Sequence, residues 1–169
     1  MRQAEELRYL ILAIQREGNR LLAADLRPLG LTPSQAEVLR VLGDHQPLTL
    51  TGLGGLLVCE TTASPSRLVD RLVAQGLVQR QVDPDDRRFV TLSLTADGRK
   101  LLDRVAAVED RLHDTLDRLT AGTPVEDALQ LLRTVADEFP AGQALARRRG
   151  EQPPATTPDA TSKPATRPS

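Results

Sequence analysis

The chain has 169 residues, of which 40% are hydrophobic and 27% are charged, and its formal net charge is −1. This length suits one domain with some chain to spare, and the near-neutral charge does not by itself indicate a nucleic-acid partner. Its one cysteine, Cys59, excludes an intrachain disulfide and a multi-cysteine metal site. No run approaches the ~20 apolar residues of a membrane span, and the N-terminus has no signal-peptide pattern. The sequence therefore predicts a cytoplasmic protein.

The N-terminal part of the chain is predicted to form two helices. Residues 5–25 place leucine and isoleucine at helical spacing, which is typical of a long amphipathic helix. The second helix has a sharp start, because Thr32 suits the N-cap, Pro33 the first helical position and Gln35 a capping-box hydrogen bond. We expect this helix to stop at Gly43.

Two short helices are predicted next. The first covers residues 50–57 with Thr49 as its cap, and it contains three glycines that each weaken it by about 1 kcal/mol relative to alanine. Either tertiary packing holds this helix, or the glycines allow a neighbouring element to approach closely. The second helix begins at the cap residue Ser64, and its predicted inward stripe consists of Leu68, Val69 and Leu72.

A β-hairpin is predicted after these helices. Residues 77–82 and 89–94 alternate between apolar and polar side chains, and they flank a turn rich in aspartate and proline. Arg87 and Arg88 stand side by side at the predicted tip. A helix followed by a hairpin with a basic tip is typical of a winged helix, a structure that binds duplex DNA.

The C-terminal part is predicted to be helical and to mediate dimerisation. Thr95 caps a helix over residues 96–119, and a capping box at residues 123–126 opens another whose apolar residues repeat every three or four positions as far as Phe139. One alternative is that these apolar stripes simply pack on the chain's own core. However, long amphipathic helices at both ends of the chain bury more surface against a partner than against a small wing domain. They therefore predict a homodimer.

The predicted fold is mainly α with a small β-hairpin wing, an α+β winged helix-turn-helix with long terminal dimerisation helices. Its expected divisions are an N-terminal dimerisation helix (1–30), a DNA-binding domain (31–95) and C-terminal dimerisation helices (96–149). Residues 150–169 are rich in proline and threonine and lack large apolar side chains, so we expect a disordered tail. Such a tail either only solubilises the protein or docks a partner.

The second helix of a helix-turn-helix normally enters the major groove with its N-terminal turns nearest the bases. Here that helix offers Ser64, Ser66, Arg67 and Arg71, whose hydroxyl and guanidinium groups bond phosphates or base edges. The alternative is that Ser64 only caps the helix while both arginines form a solvated face with Asp70.

The hairpin tip supplies a second set of candidates for DNA contact. Arg88 suits the narrow minor groove, and Asp86 lies close enough in the chain to orient its guanidinium. The alternative is an ordinary solvated turn.

Three segments resemble the MarR family, the multiple-antibiotic-resistance regulators. The segment DPDDRRFVTLSLTADG is similar to that family's wing, LTPSQAEVLRVL to its second helix, and SRLVDRLVAQGLVQR to its recognition helix and first wing strand. The resemblance extends over roughly residues 5–139. It implies a homodimeric transcriptional regulator, most often a repressor, that binds short palindromic duplex DNA.

The resemblance also implies roles for individual residues. Arg88 would be the minor-groove arginine with Asp86 as its partner, and Arg87 would lie beside it. Ser64, Ser66 and Arg67 would face the major groove, and Thr32 and Thr49 would be phosphate contacts. The link before the recognition helix, CETTASPSR, is about two residues longer than usual in the family. Thr61 and Thr62 therefore join the two serines as candidates for base contact.

Regulation by a small molecule is a further implication of the resemblance. Many family members are released from DNA by small aromatic acids held between the dimer helices and the wing domain. In this chain such a pocket would use Tyr9, Ile14, His45 and His113 if these side chains converge.

Cys59 allows a second mode of regulation. It precedes the recognition helix, where oxidation would shift the DNA-reading surface, and its alternative role is that of a small packing residue.

No set of residues indicates catalysis. The two histidines have no local nucleophile or metal-ligand partner, and no glycine-rich phosphate loop follows a strand. We therefore expect neither an enzyme nor a cofactor nor a metal site. The remaining alternative to a DNA-binding regulator is a winged-helix module that contacts protein.

Overall fold

The computed structural model of the chain describes residues 1–59, 64–82 and 90–150. These residues confirm the expected fold class, because they are mainly helical with one small antiparallel sheet. The elements are α1 (Gln3–Leu26), α2 (Pro33–His45), β1 (Leu48–Thr49), α3 (Leu50–Gly54), α4 (Pro65–Ala74), β2 (Val78–Val82), β3 (Val90–Leu94), α5 (Ala96–Thr120), α6 (Val125–Ala136) and α7 (Pro140–Arg148).

The hydrophobic core surrounds α2, which packs against α1, α4, β3 and α5. The predicted capping box opens this helix: the Gln35 amide donates to Thr32 Oγ1 at 3.3 Å, and the Thr32 amide donates to Gln35 Oε1 at 3.0 Å. The predicted end at Gly43 is wrong, since α2 continues to His45. Gly43 instead permits a close approach, because a Cβ there would collide with the side chain of Leu102 in α5.

The two predicted hairpin strands are paired, and a third strand that we did not predict joins them; the predicted tip lies outside the described residues. Strands β2 and β3 pair antiparallel from Val78–Leu94 to Val82–Val90, and β1 pairs with the other edge of β3. The start of α5 is fastened to this sheet, because the Thr95 amide donates to the Leu77 carbonyl at 3.0 Å. Thr95 also caps α5 as expected, accepting from the Gly98 amide at 3.0 Å.

The two short helices differ from the prediction at their ends. Helix α3 stops at Gly54 rather than at residue 57, although Thr49 caps it as expected by accepting from the Gly52 amide at 3.1 Å. Ser64 occupies the N-cap position of α4, but its hydroxyl makes no capping hydrogen bond with the backbone. The inward stripe of α4 is confirmed, since Leu68, Val69 and Leu72 are all buried.

The C-terminal helices also depart from the expected pattern. The predicted capping box at residues 123–126 is wrong: Pro124 occupies the N-cap position of α6, and Thr123 Oγ1 donates to the Thr120 carbonyl instead. The repeat does not continue through Phe139 within one helix either. Helix α6 ends at Ala136, and Pro140 then starts α7 with Phe139 as its N-cap.

Large apolar side chains remain exposed along the terminal helices of the single chain. On α1 they include Tyr9 and Ile14, which are 53% and 66% exposed, and on α5 Leu119 is 75% exposed. The C-terminal helices expose a further set, consisting of Val125, Leu129, Leu131, Leu132, Val135 and Leu145. By contrast, the N-terminal half of α5 is anchored in the core through Val105 and Val108.

The predicted tail begins at Gly150, and the rest of it lies outside the described residues. Among the residues that are described, none of the helices has the length and apolar character needed to span a membrane.

Candidate nucleic-acid interface

Helices α3 and α4 meet as the two arms of a helix-turn-helix. Gly54 at the end of α3 faces the start of α4, where an added Cβ would lie 3.6 Å from Pro65 Cγ. This is an ordinary van der Waals distance, so the approach of α4 does not require a glycine at this position. Helix α2 supports both arms, because it packs against each of them.

The outer face of α4 presents two arginines, Arg67 and Arg71, both exposed. Neither one has an ion-pair partner among the described residues. Asp70 does not pair with them; it accepts a hydrogen bond from Arg80 Nη2 of β2 at 2.6 Å. This ion pair links the recognition helix to the wing strand and leaves the two guanidinium groups of α4 available to a ligand.

The two serines of α4 stand at its N-terminus. Their hydroxyl oxygens lie 3.0 Å apart, and Ser64 is exposed while Ser66 is half-buried. Ser64 does not cap the helix; its hydroxyl shares a hydrogen bond with that of Ser66, and this exposed pair can also bond a phosphate or a base. The N-terminal amides of a helix also attract anions.

Of the remaining predicted DNA contacts, two are helix caps and the others lie outside the described residues. The hydroxyls of Thr32 and Thr49 are both engaged in helix caps, although both residues are exposed. Val82 and Val90 form the last described pair of the two wing strands. The other predicted contacts lie outside the described residues: Thr61, Thr62, Asp86, Arg87 and Arg88.

A buried carboxylate near these helices was missed by the sequence analysis. Glu37 of α2 is only 8% exposed, and its two oxygens accept from the amides of Val58 at 2.8 Å and Cys59 at 2.9 Å. Its Oε1 also accepts from Arg148 Nη1 at 3.0 Å. A signal was present in the sequence, since Glu37 lies between the apolar residues Ala36 and Val38. A charge inside a buried stripe requires partners.

The surroundings of Cys59 oppose the redox hypothesis. The residue is half-buried, and burial raises the pKa of its thiol to about 11, with further contributions from the charge and the hydrogen bond of Glu37. Thiolates, not thiols, are the reactive form of cysteine. At neutral pH this thiol is protonated, which fits the alternative role as a packing residue.

The four predicted effector residues are not brought together in the single chain. Tyr9, Ile14 and His113 are exposed on α1 and α5, and His45 is half-buried at the end of α2. A cavity of about 200 Å³ lies elsewhere, between α1 and α5. Its lining contains none of the four residues and consists of Leu21, Leu22, Asp25, Val108, Arg111, Leu112 and Thr115.

A helix-turn-helix whose outer helix presents two exposed arginines, followed by two antiparallel strands, defines a winged-helix DNA-binding protein. Comparison with known proteins agrees with this class. The family model described as "MarR family" matches residues 31–90. The chain belongs to the MarR family of DNA-binding transcriptional regulators.

Individual relatives support the assignment. The chain is 31% identical to the multiple antibiotic resistance protein MarR of Escherichia coli, with 75% of this chain and 88% of that protein covered. It is 35% identical to the transcriptional repressor NicR of Pseudomonas putida, with 63% of this chain and 67% of that protein covered. Its structure resembles the S. aureus MepR–DNA complex with a TM-score of 0.71 and 26% identity, covering 78% of this chain and 96% of that one.

The raised pKa of Cys59 predicts slow reaction of the thiol at neutral pH. With a pKa of about 11, only about one thiol in ten thousand is ionised at pH 7. We expect the alkylation rate with iodoacetamide to rise about tenfold per pH unit between pH 7 and pH 10. A half-maximal rate near pH 8.5, the ordinary cysteine value, would contradict the assigned environment.

Proposed function

We propose that the protein is a homodimeric repressor that binds palindromic duplex DNA and is released by a small ligand. The observation that carries the proposal is the pair of exposed arginines on α4, Arg67 and Arg71, which have no ion-pair partner among the described residues. Arginine binds guanine through two parallel hydrogen bonds in the major groove. An exposed helix such as α4 fits into that groove.

Further residues extend the proposed DNA-binding surface. The hydroxyls of Ser64 and Ser66 lie at the N-terminus of α4, the end that faces the bases in helix-turn-helix proteins. Arg88, with Asp86 as its orienting partner, is assigned to the minor groove on its sequence pattern and on the family resemblance. Arg87, Thr32, Thr49, Thr61 and Thr62 complete the set as candidate contacts to phosphates or bases.

The proposed dimer is supported by the apolar side chains that the single chain leaves exposed on α1, α5, α6 and α7. Exposed large apolar side chains, when they gather into one patch, mark an interaction site. A dimer interface on the terminal helices (1–30 and 96–149) leaves the winged helix-turn-helix (31–95) free to bind DNA. Two-fold symmetry then requires two half-sites related by inversion. The repressor role is supported by the similarity to NicR.

The proposed ligand site is the cavity between α1 and α5. Its walls are mostly apolar, contributed by Leu21, Leu22, Val108 and Leu112, and Arg111 lies at its edge. Arg111 Nη2 is 3.6 Å from Asp25 Oδ2, so a bound carboxylate would compete with Asp25 for the guanidinium. Apolar walls with one cation fit a single-ring aromatic acid. The four residues named from the sequence (Tyr9, Ile14, His45 and His113) remain candidates only if dimer formation brings them together.

Replacing Arg67 tests the DNA-reading role of α4. We expect Arg67→Ala to weaken binding to a selected operator by about 1–3 kcal/mol, because one base or phosphate contact is lost while the buried side of α4 is untouched. Fluorescence anisotropy at several salt concentrations measures this change. The matched control is Arg104→Ala, which removes an exposed arginine of α5 and should leave the affinity unchanged.

Salt dependence decides between DNA binding and the alternative of a protein-binding module. Phosphate contacts make affinity fall steeply as salt rises. Equal affinity of Arg67→Ala and the parent chain at matched salt would contradict the assignment of α4 as the DNA-reading helix.

Replacing Arg111 tests the proposed ligand site. We expect benzoate to raise the melting temperature of the parent protein, and Arg111→Gln to weaken benzoate binding about 10- to 100-fold through loss of a charged hydrogen bond. Arg118→Gln is the control, since Arg118 lies farther along α5 and does not line this cavity. Equal benzoate affinity in the parent and in Arg111→Gln would place the effector elsewhere.

A further inference from the structure

The last helix, α7, folds back onto the DNA-binding domain of its own chain. Gly142, Ala144 and Ala146 of this helix are buried. Gly142 allows the return, because a Cβ at this position would collide with the Ala136 carbonyl at the end of α6. The C-terminal end of α7 thereby brings Arg147 and Arg148 to α3 and α2.

Arg147 contacts the end of α3. Its Nε and Nη2 atoms both donate to the Gly55 carbonyl, at 3.0 and 2.7 Å. Gly55 is the C-cap of α3, where helix carbonyls have no partner within the helix. The guanidinium therefore satisfies an oxygen that would otherwise depend on water.

Arg148 acts on the residues that follow α3, and it does so through Glu37. Its Nη1 donates to Glu37 Oε1 at 3.0 Å, and the Glu37 carboxylate in turn accepts from the amides of Val58 and Cys59. The Glu37 side chain is 9% exposed and that of Arg148 is 23% exposed, so water screens this pair only weakly. Without Arg148, the buried carboxylate would lose the positive charge that lies against it.

Both arginines therefore hold residues 55–59, the part of the α3–α4 connection that the structure describes. In a helix-turn-helix, the path of this connection sets where the second helix begins relative to the first. If α4 is not held in its binding position before DNA arrives, it must be ordered during binding. The free energy that this ordering costs lowers the affinity for DNA.

We propose that α7 is a positioning element for DNA reading, in which Arg147 and Arg148 fix residues 55–59, from which the chain leads to α4, in the arrangement that presents α4 to the major groove. This inference rests on the proposed function of α4. Neither arginine contacts DNA in this account, since their guanidinium groups are occupied by Gly55 and Glu37.

The test uses the full chain with Arg148→Ala and, as matched control, Arg133→Ala. Arg133 lies on α6 and pairs with the exposed Glu126 at 3.1 Å. Its removal makes the same charge change without affecting residues 55–59. We expect Arg148→Ala to weaken operator binding about 5- to 150-fold, the usual range for coupling between distant sites. The slope of affinity against salt should not change, because no phosphate contact is lost.

Hydrogen exchange provides a readout that does not depend on DNA. The amides of Val58 and Cys59 donate to Glu37, so they should exchange faster in Arg148→Ala and at the parental rate in Arg133→Ala. If the parent chain binds no DNA, the proposed function fails, while the exchange rates still report whether α7 holds the connection. Parental operator affinity in Arg148→Ala would overturn the positioning role. A reduced slope of affinity against salt would also overturn it, because it would make Arg148 a direct phosphate contact.

Two further variants separate positioning from loss of folding. Arg148→Lys keeps a positive charge beside Glu37 but loses the planar guanidinium. We therefore expect its operator affinity to lie between those of the parent and Arg148→Ala. In a Glu37→Gln background, Arg148→Ala should have a smaller effect than in the parent, because both act through one contact. Fully additive effects would show that Arg148 acts independently of Glu37 and would overturn the mechanism.

Discussion

The burial of one face of α4 is the constraint on which the arrangement of the DNA-binding surface depends. Leu68, Val69 and Leu72 are buried in the core beside α2. A helix has 3.6 residues per turn, so fixing these positions leaves Arg67 and Arg71 on the opposite face. The same residues that stabilise the domain therefore determine which side chains are available to DNA.

Polar contacts hold the two ends of α4, where apolar packing alone does not fix the position of the chain. Asp70 and Arg80 join α4 to the first wing strand. Glu37 takes the amides of Val58 and Cys59 at the approach to α4, and α7 adds two arginines at the same point. The two kinds of contact differ because the hydrophobic effect is non-directional, whereas a hydrogen bond fixes the position of a backbone atom.

The features that were predictable from the sequence are those encoded by nearby residues. The caps at Thr32, Thr49 and Thr95 each involve a residue three positions away, so their local pattern was sufficient. The extension of α2 past Gly43 was not predictable in this way. Gly43 lies against Leu102 of α5, a residue that reaches it only in the folded chain, and no pattern near Gly43 signals this contact.

The same distinction applies to the candidate site. The outward arginines of α4 follow from helical spacing, and the structure agrees with that spacing. Strand β1 has only two residues and exists through its pairing with β3, so no local pattern predicted it. The ion pair of Asp70 with Arg80 and that of Glu37 with Arg148 join different elements, and charge identity alone does not specify such pairs.

The most direct test of the central claim is a selection of bound fragments from random duplex DNA by the full chain. Two α4 helices related by a two-fold axis should enrich an inverted repeat whose half-sites are about 10 base pairs apart, or a multiple of that spacing. Enrichment of a single unrepeated motif would contradict the dimeric arrangement. Recovery of no preferred sequence would contradict sequence-specific reading by α4.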